Sequence, residues 1–305
     1  MKIVLTGSLG HISQPLAIDL IAKGHSVTVI SSKTEREKEI AALGAKAAVG
    51  SIDDAGFLTK TFKGADIVYT MIALNTHSGA YFDKNFDLEA GHKRIAEIYA
   101  QAIQDAGVTK VIHLSTIGAH MPTGVGMLNP HFHVEATLNK LPQTIHIKFM
   151  RPVGFYYNMF GYIPAIKNTS SIVQNYGGNE NEPWVSHLDI AATIVEEMEK
   201  PFEGRAVRYI ASDEAAPNEV ATTLGNAIGI PDLKITVIAD EEFKANLIKI
   251  GMTPQVAKGL TEMNASRVNG VLYQDYYKHK PILGKVKLAD FAKEFAAVYH
   301  HNNSN

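Results

Sequence analysis

Cysteine is absent from the 305 residues, which excludes disulfides, thiolate catalysis and cysteine-ligated metals. A dominant charge sign is also missing. Lys and Arg number 29 against 31 Asp and Glu, the formal net charge is −2, and no long basic run occurs. A nucleic-acid-binding surface is therefore not indicated. No apolar run reaches the roughly 18 residues of a membrane span. The chain enters a short apolar stretch at once, Lys2-Ile3-Val4-Leu5-Thr6, without the regions of a signal peptide, so a cytoplasmic location is expected. Pro/Ser-rich linkers, internal repeats and low-complexity stretches are likewise missing. What is present, 46% apolar and 20% charged residues, is ordinary for a globular protein. The length suffices for one large domain, or one domain with a smaller lobe.

Short β-rich apolar runs alternate with helical patterns through the first 150 residues. Strands are predicted at 2–6, 26–31, 45–49, 66–72, 110–115 and 144–150, and helices at 12–23, 34–43, 54–62, 88–106 and 131–141. Gly24 and Gly107 stand just past helices, and Asp53 is placed to cap one. Such alternation predicts a parallel sheet with helices on both faces, which binds ligands at the carboxyl ends of its strands. After Arg151-Pro152 the rhythm changes. Aromatics and glycines crowd 154–162, and 175–183 reads as a polar loop. Helices are then predicted at 189–200, 218–228, 241–250, 254–269 and 288–300, with strands at 206–211 and 234–238. Asp189 is placed to cap the first of these helices.

The first strand runs into Gly7-Ser8-Leu9-Gly10-His11-Ile12-Ser13 and a helix follows. A tight turn needs backbone freedom at Gly7, and a side chain at Gly10 would obstruct a pyrophosphate. Amides at the helix start, with its dipole, then hold the phosphate charge. This is the dinucleotide-binding turn of a Rossmann-type fold. The expected architecture is α/β: a doubly wound parallel sheet with a smaller, mainly helical C-terminal lobe. Residues 1–150 form the NAD(P)-binding part and 151–305 a lobe packed on it, with 184–211 returning to the core. The second strand ends at Ser31-Ser32-Lys33, with no acid until Glu35. NAD sites usually place an acid about here for the ribose hydroxyls. Two hydroxyls and a lysine suit a 2′-phosphate, so NADP is preferred over NAD.

With these residues in view, the chain resembles the NmrA-like branch of the atypical short-chain dehydrogenase/reductase superfamily along nearly its whole length. The matching stretches include Ile3 to Gly10, Gly24-His25-Ser26-Val27, Gly64-Ala65-Asp66-Ile67-Val68 and Val111-Ile112-His113-Leu114-Ser115-Thr116. Further on come His131-x-x-x-Glu135, Arg151-Pro152-Val153-Gly154-Phe155-Tyr156-Tyr157-Asn158 and Trp184-Val185-Ser186-His187-Leu188-Asp189-Ile190-Ala191. The branch holds NADPH-dependent quinone reductases, other reductases and non-enzymatic NADP(H) sensors. The resemblance implies that Gly7, Leu9, Gly10, His11 and Ile12 line the pyrophosphate, and that Ser32 and Lys33 face the adenosine ribose. It puts Met71, Ile72 and Ala73 along the cofactor's middle, and Ser115 and Thr116 beside the nicotinamide. Pro152, Val153 and Phe155 close over the ring.

The Tyr-x-x-x-Lys pair of the wider superfamily, tyrosine as acid and lysine as its activator, is missing after the fifth strand. The one match, Tyr276-x-x-x-Lys280, falls in the C-terminal lobe. His131 stands where many NmrA-like reductases keep a lysine. It is a candidate to bond the ribose or relay a proton, or a helix-start histidine without a task. Tyr156, Tyr157 and Phe160 are candidates to stack on a flat acceptor, or are core aromatics. His131 and His133, two apart on a helix, do not converge on a metal. With no Gly-x-Ser-x-Gly elbow, a serine hydrolase is disfavoured. The favoured activity is NADPH-dependent hydride transfer to a small quinone, carbonyl or enone. The alternative is a non-catalytic NADP(H) sensor acting through a protein partner. A nucleotide-sugar epimerase is disfavoured by the missing pair, and a homo-oligomer is left open.

Overall fold

The computed structural model describes residues 1–72, 74 and 79–301, and folds the alternating runs of the first half as strands and helices in turn. These are β1 (Lys2–Leu5), α1 (Ser13–Ala22), β2 (Ser26–Ser31), α2 (Glu37–Ala42), β3 (Lys46–Val49), α3 (Ala55–Phe62), β4 (Ile67–Met71), α4 (Leu88–Asp105), β5 (Lys110–Leu114), α5 (Pro130–Asn139) and β6 (His146–Pro152). Next come β7 (Gly154–Phe155), α6 (Ile163–Thr169), β8 (Ser171–Gln174), β9 (Glu182–Val185), α7 (His187–Glu199), β10 (Arg205–Ile210) and β11 (Asp213–Ala215). The chain ends with α8 (Pro217–Ile228), β12 (Lys234–Val237), α9 (Asp240–Lys249), α10 (Pro254–Val268), α11 (Gln274–Lys278) and α12 (Leu288–His301).

Seven strands make one parallel sheet in the order β10-β6-β5-β4-β1-β2-β3. The order reverses between β1 and β4, the switch point at which open α/β sheets bind ligands. Strand alternation divides the core. Ile3, Leu5, Val29 and Tyr69 face α1 and α7, whereas Val4, Ile30, Val68 and Phe149 face α3, α4 and α5. Both faces are covered, so β4 reads as an unbroken buried run, Ile67-Val68-Tyr69-Thr70. Burial of each large apolar side chain here contributes roughly 1.5–3 kcal/mol. No helix among the described residues is long and apolar enough to cross a membrane.

The lobe has its own core, in which Tyr156, Trp184, Leu224, Phe291 and Phe295 meet. It is mainly helical but carries two small sheets, β11-β9-β7 and β12-β8. The stretch expected as a polar loop over 175–183 already contains the start of β9. Its polar letters conceal a strand because the buried Glu182 carboxylate is neutralised by Arg267 of α10.

Local structure differs from expectation in three places, two of them caps. Asp54, not Asp53, caps α3 by accepting from the Phe57 amide at 2.9 Å. Ser186 caps α7, while Asp189 is buried and accepts from Ser212 Oγ (2.6 Å) and the amides of Lys285 and Val286. Residues 34–43 are not one helix. A 3-10 turn at Thr34–Arg36 precedes α2. Gly24 and Gly107 do stand in left-handed conformations just past α1 and α4, where a residue with a β-carbon is disfavoured.

Candidate dinucleotide site

The turn from β1 to α1 is shaped by contacts that only some residues tolerate. Gly7 has φ +92°, and a β-carbon there would lie 2.4 Å from the Met71 sulfur and 2.5 Å from Ser13 Oγ. Ser8 holds φ +53°, unusual for a residue with a side chain. Its hydroxyl donates to Ser31 Oγ at 2.9 Å and its amide to the Ile30 carbonyl at 3.1 Å, tying the turn to the end of β2. The Gly10 amide donates to the Gly7 carbonyl at 3.1 Å, and a Gly10 β-carbon would stand 3.0 Å from that oxygen.

Ser13 occupies the place of the usual third glycine. Its hydroxyl donates to the Thr6 carbonyl at 3.0 Å, so the helix meets the strand through a hydrogen bond. Ile12 is buried and Leu9 half-buried in the α1-side core, so what they offer a ligand is backbone. No side chain caps the start of α1 among the described residues; the Gln14 amide is taken by the Gly10 carbonyl at 2.9 Å and Pro15 has no N–H, so what the helix start offers an anion is chiefly its dipole.

The turn opens into a cavity of about 650 Å³. Gly7, Ser8, Ser31 and Ser32 form one wall, and Asp53 and Arg94 stand on another. Met71 lines the cavity, and its amide donates to Thr6 Oγ1 at 2.9 Å. Ile72 packs instead toward the α3 and α4 side, and Ala73 lies outside the described residues. Lys33 is exposed and not part of the cavity lining, so of the pair expected at the adenosine ribose only Ser32 reaches it.

At the end of β5 a buried polar chain begins. Ser115 Oγ donates to Glu135 Oε1 at 2.5 Å, and Arg151 grips the same carboxylate at 2.9 and 2.6 Å. Arg151 also reaches Tyr209, whose hydroxyl donates to Asp275 at 2.6 Å. Burial opposes the guanidinium's charge, but the Glu135 carboxylate more than offsets it and holds the Arg151 pKa above its ordinary value. The chain links β5, α5, β6, β10 and α11. Thr116 follows Ser115, and the Ile117 amide donates to the buried Pro152 at 2.9 Å. Val153 is buried and Phe155 half-buried against the α1-side core.

His131 lies one turn before Glu135 on α5, with its ring 4.9 Å from that of His92. Its Nδ1 is buried without a hydrogen-bond partner in the protein. Burial, then the neighbouring His92 and His113, push His131 well below the ordinary imidazole pKa. It is therefore a neutral ring at neutral pH, not a standing acid. His133 turns away to Glu89 at 3.7 Å. Among the described residues no three His, Asp or Glu side chains are grouped to hold a metal ion.

The three candidate acceptor-stacking aromatics separate. Tyr156 is buried in the lobe core, stacked between Trp184 and Phe291, which corrects its expected place in an open pocket. Phe160 lies parallel to Phe295 at 5.8 Å. Only Tyr157 is exposed, and it packs on His11 of the glycine turn at 4.1 Å between centroids. Tyr276 and Lys280, the lone Tyr-x-x-x-Lys match, both bond to Glu214, at 3.1 and 2.6 Å, and so serve as an anchor to β11. Sequence reasoning missed Arg94 and the Glu135–Arg151 pair as parts of this region. Only the last had a signal: two opposite charges beside otherwise apolar elements.

The sequence model of the NmrA-like family matches residues 1–276. A ketoreductase of Stigmatella aurantiaca, acting on 4-hydroxy-2-methyl-3-oxo-4-farnesyl-3,4-dihydroquinoline-1-oxide by its name, is 25% identical over 118 residues, 38% of this chain and 34% of its own. The match thus spans about a third of that relative. An NADPH-dependent quinone oxidoreductase of Escherichia coli, solved with NADPH, superposes with a TM-score of 0.77 at 18% identity, covering 96% of this chain and 99% of its own. Triphenylmethane reductase of Citrobacter, solved with NADP(H), gives 0.74 at 18% identity over 97% and 100%. At these identities the likeness of the two structures is one of fold.

Proposed function

The chain belongs to the NmrA-like family, and we propose that it is a reductase that binds NADP(H) and delivers hydride to a small quinone, carbonyl or enone. The observation that carries the reading is the glycine turn opening into the 650 Å³ cavity, with Ser31 and Ser32 where an NAD site would place an acid. The turn fits a dinucleotide. The space a Gly7 side chain would need is already filled, and no side chain among the described residues caps the start of α1, which leaves its dipole open to an anion. Gly7, Ser8 and Gly10 would cradle the pyrophosphate, and Ser32 the adenosine ribose. The bound cofactor supplies the hydride.

The chain's own residues position rather than protonate. Ser115 has its proton engaged with Glu135, so it offers lone pairs at the end of β5 to a hydrogen-bond donor on the cofactor. His131, held neutral, serves as a hydrogen-bonding ring, and the reduced oxygen takes its proton from water. Holding donor and acceptor together is then the main source of rate. Tyr157, exposed above the turn, is the aromatic best placed to cover a flat acceptor.

The same neutral His131 and the missing Tyr-Lys pair favour a second reading, a sensor that binds NADP(H) without turnover. Stopped-flow mixing of NADPH-loaded protein with a panel of quinones and enones separates the two. Loss of the reduced-nicotinamide absorbance supports the reductase, and no oxidation across the panel supports the sensor.

A further inference from the structure

We infer that Arg94, and not Lys33, is the residue by which this site distinguishes a 2′-phosphorylated dinucleotide from one lacking the phosphate; this rests on the cofactor reading above. Arg94 enters the cavity from the second turn of α4, far in sequence from the end of β2. Contacts nonetheless run continuously between the two. The Gly50 amide donates to the Ser31 carbonyl at 2.9 Å, the Asp53 amide to Ser51 Oγ at 3.1 Å, and Arg94 Nη1 to Asp53 Oδ1. Ser32 and Arg94 are thereby two sides of one cavity.

Charge makes the case. Arg94 is the one cation among the described residues lining the cavity, against the carboxylates of Asp53, Asp83 and Asp87. A phosphate entering this wall meets net repulsion unless the guanidinium turns to it. The pair that now holds Arg94 is exposed, with 55% and 47% of the two side chains accessible, and such pairs are weak. A phosphate offers the same fork of donors a dianionic, bidentate partner. Exchange of Asp53 for the 2′-phosphate follows. Lys33 has no such position. Its amide and carbonyl are held by Ser31 Oγ at 3.2 and 3.3 Å, and it stays outside the cavity lining.

The test is a fluorescence titration of the full chain with NADPH and with NADH, comparing wild type, Arg94→Ala, Arg94→Lys, Lys33→Ala and Asp53→Asn. Arg94→Ala is expected to weaken NADPH about tenfold or more while changing NADH less than about twofold, with Arg94→Lys intermediate. Lys33→Ala is expected to leave the ratio within about twofold, and Asp53→Asn to raise the preference for NADPH. Equal weakening of both dinucleotides by Arg94→Ala, a larger loss of preference in Lys33→Ala, or a lower preference in Asp53→Asn overturns the assignment. Those outcomes leave the cofactor reading standing. A wild type that binds neither dinucleotide removes the cofactor reading and this inference together.

Discussion

Glu135 and Arg151 meet fork to fork beneath the end of β5, each under 10% exposed, with Nε and Nη2 of the guanidinium on the two carboxylate oxygens. Ser115 takes its orientation from the same carboxylate. A buried pair of this kind adds little net stability, yet breaking it strands a charge. Glu135→Ala is expected to lose about 3–5 kcal/mol of unfolding free energy, and the double variant Glu135→Leu with Arg151→Met distinctly less. Urea denaturation reads both. A double variant as unstable as the single one contradicts the account of the pair.

Acid should destabilise the protein in a window set by its histidines. His113 is pushed down to about 3 by burial and by His92, and His92 and His131 also lie below their ordinary value, mainly through burial. A histidine with a depressed folded pKa gains its proton more readily in the unfolded chain. Stability is therefore complete above the unfolded value of about 6.5 and falls as pH drops toward the folded value. The depressed carboxylate Glu197, held at about 2 by Lys148 and Arg208 despite burial, loses its contribution only below about 4.5. Between pH 6.5 and 4.5 the histidines dominate. The urea midpoint is expected to fall across that window, and less so in His131→Gln. An unchanged midpoint would sink the buried-neutral assignment.

Adjacent tyrosines should behave oppositely. Tyr156→Ala opens a hole in the lobe core and is expected to cost about 3–5 kcal/mol. Tyr157→Ala, exposed on His11, is expected to cost less than about 1 kcal/mol and to raise the KM for the acceptor. Thermal denaturation and steady-state kinetics distinguish them. Comparable losses of stability would contradict the placement of Tyr156 in the core and Tyr157 at the cleft.

The doubly wound sheet was legible because buried parallel strands leave unbroken apolar runs such as Ile67-Val68-Tyr69, and because Gly7 and Gly10 stand between such a strand and a helix. Short strands were not. β7 and β11 have two and three residues, and β9 hides its burial behind Glu182 and a partner on α10. Capping by Asp54 rather than Asp53 turns on one residue of register, finer than composition resolves. Tyr156 and Tyr157 are indistinguishable by type. Their directions follow from the 3-10 turn Tyr156–Tyr162, which buries one and exposes the next. Arg94 lies 41 residues from Asp53, and only the packing of α4 beside the β3 loop brings it to the cavity.

Gly7→Ala isolates the turn from the rest of the fold. The added methyl meets Met71 and Ser13 at a φ that favours glycine, so a loss of about 1–3 kcal/mol is expected, with loss of dinucleotide binding. Circular dichroism checks that the fold persists. A Gly7→Ala protein that binds NADPH as wild type does would remove the turn from the site.

Calorimetric titration of the wild-type chain with NADPH tests the central claim most directly, because it asks only whether the cradle from Gly7 to Ser13 holds a dinucleotide. Saturable binding of one NADPH per chain is expected, tighter than NADH and lost in Gly7→Ala. No heat of binding with either NADPH or NADH, from a chain shown to be folded, would contradict it.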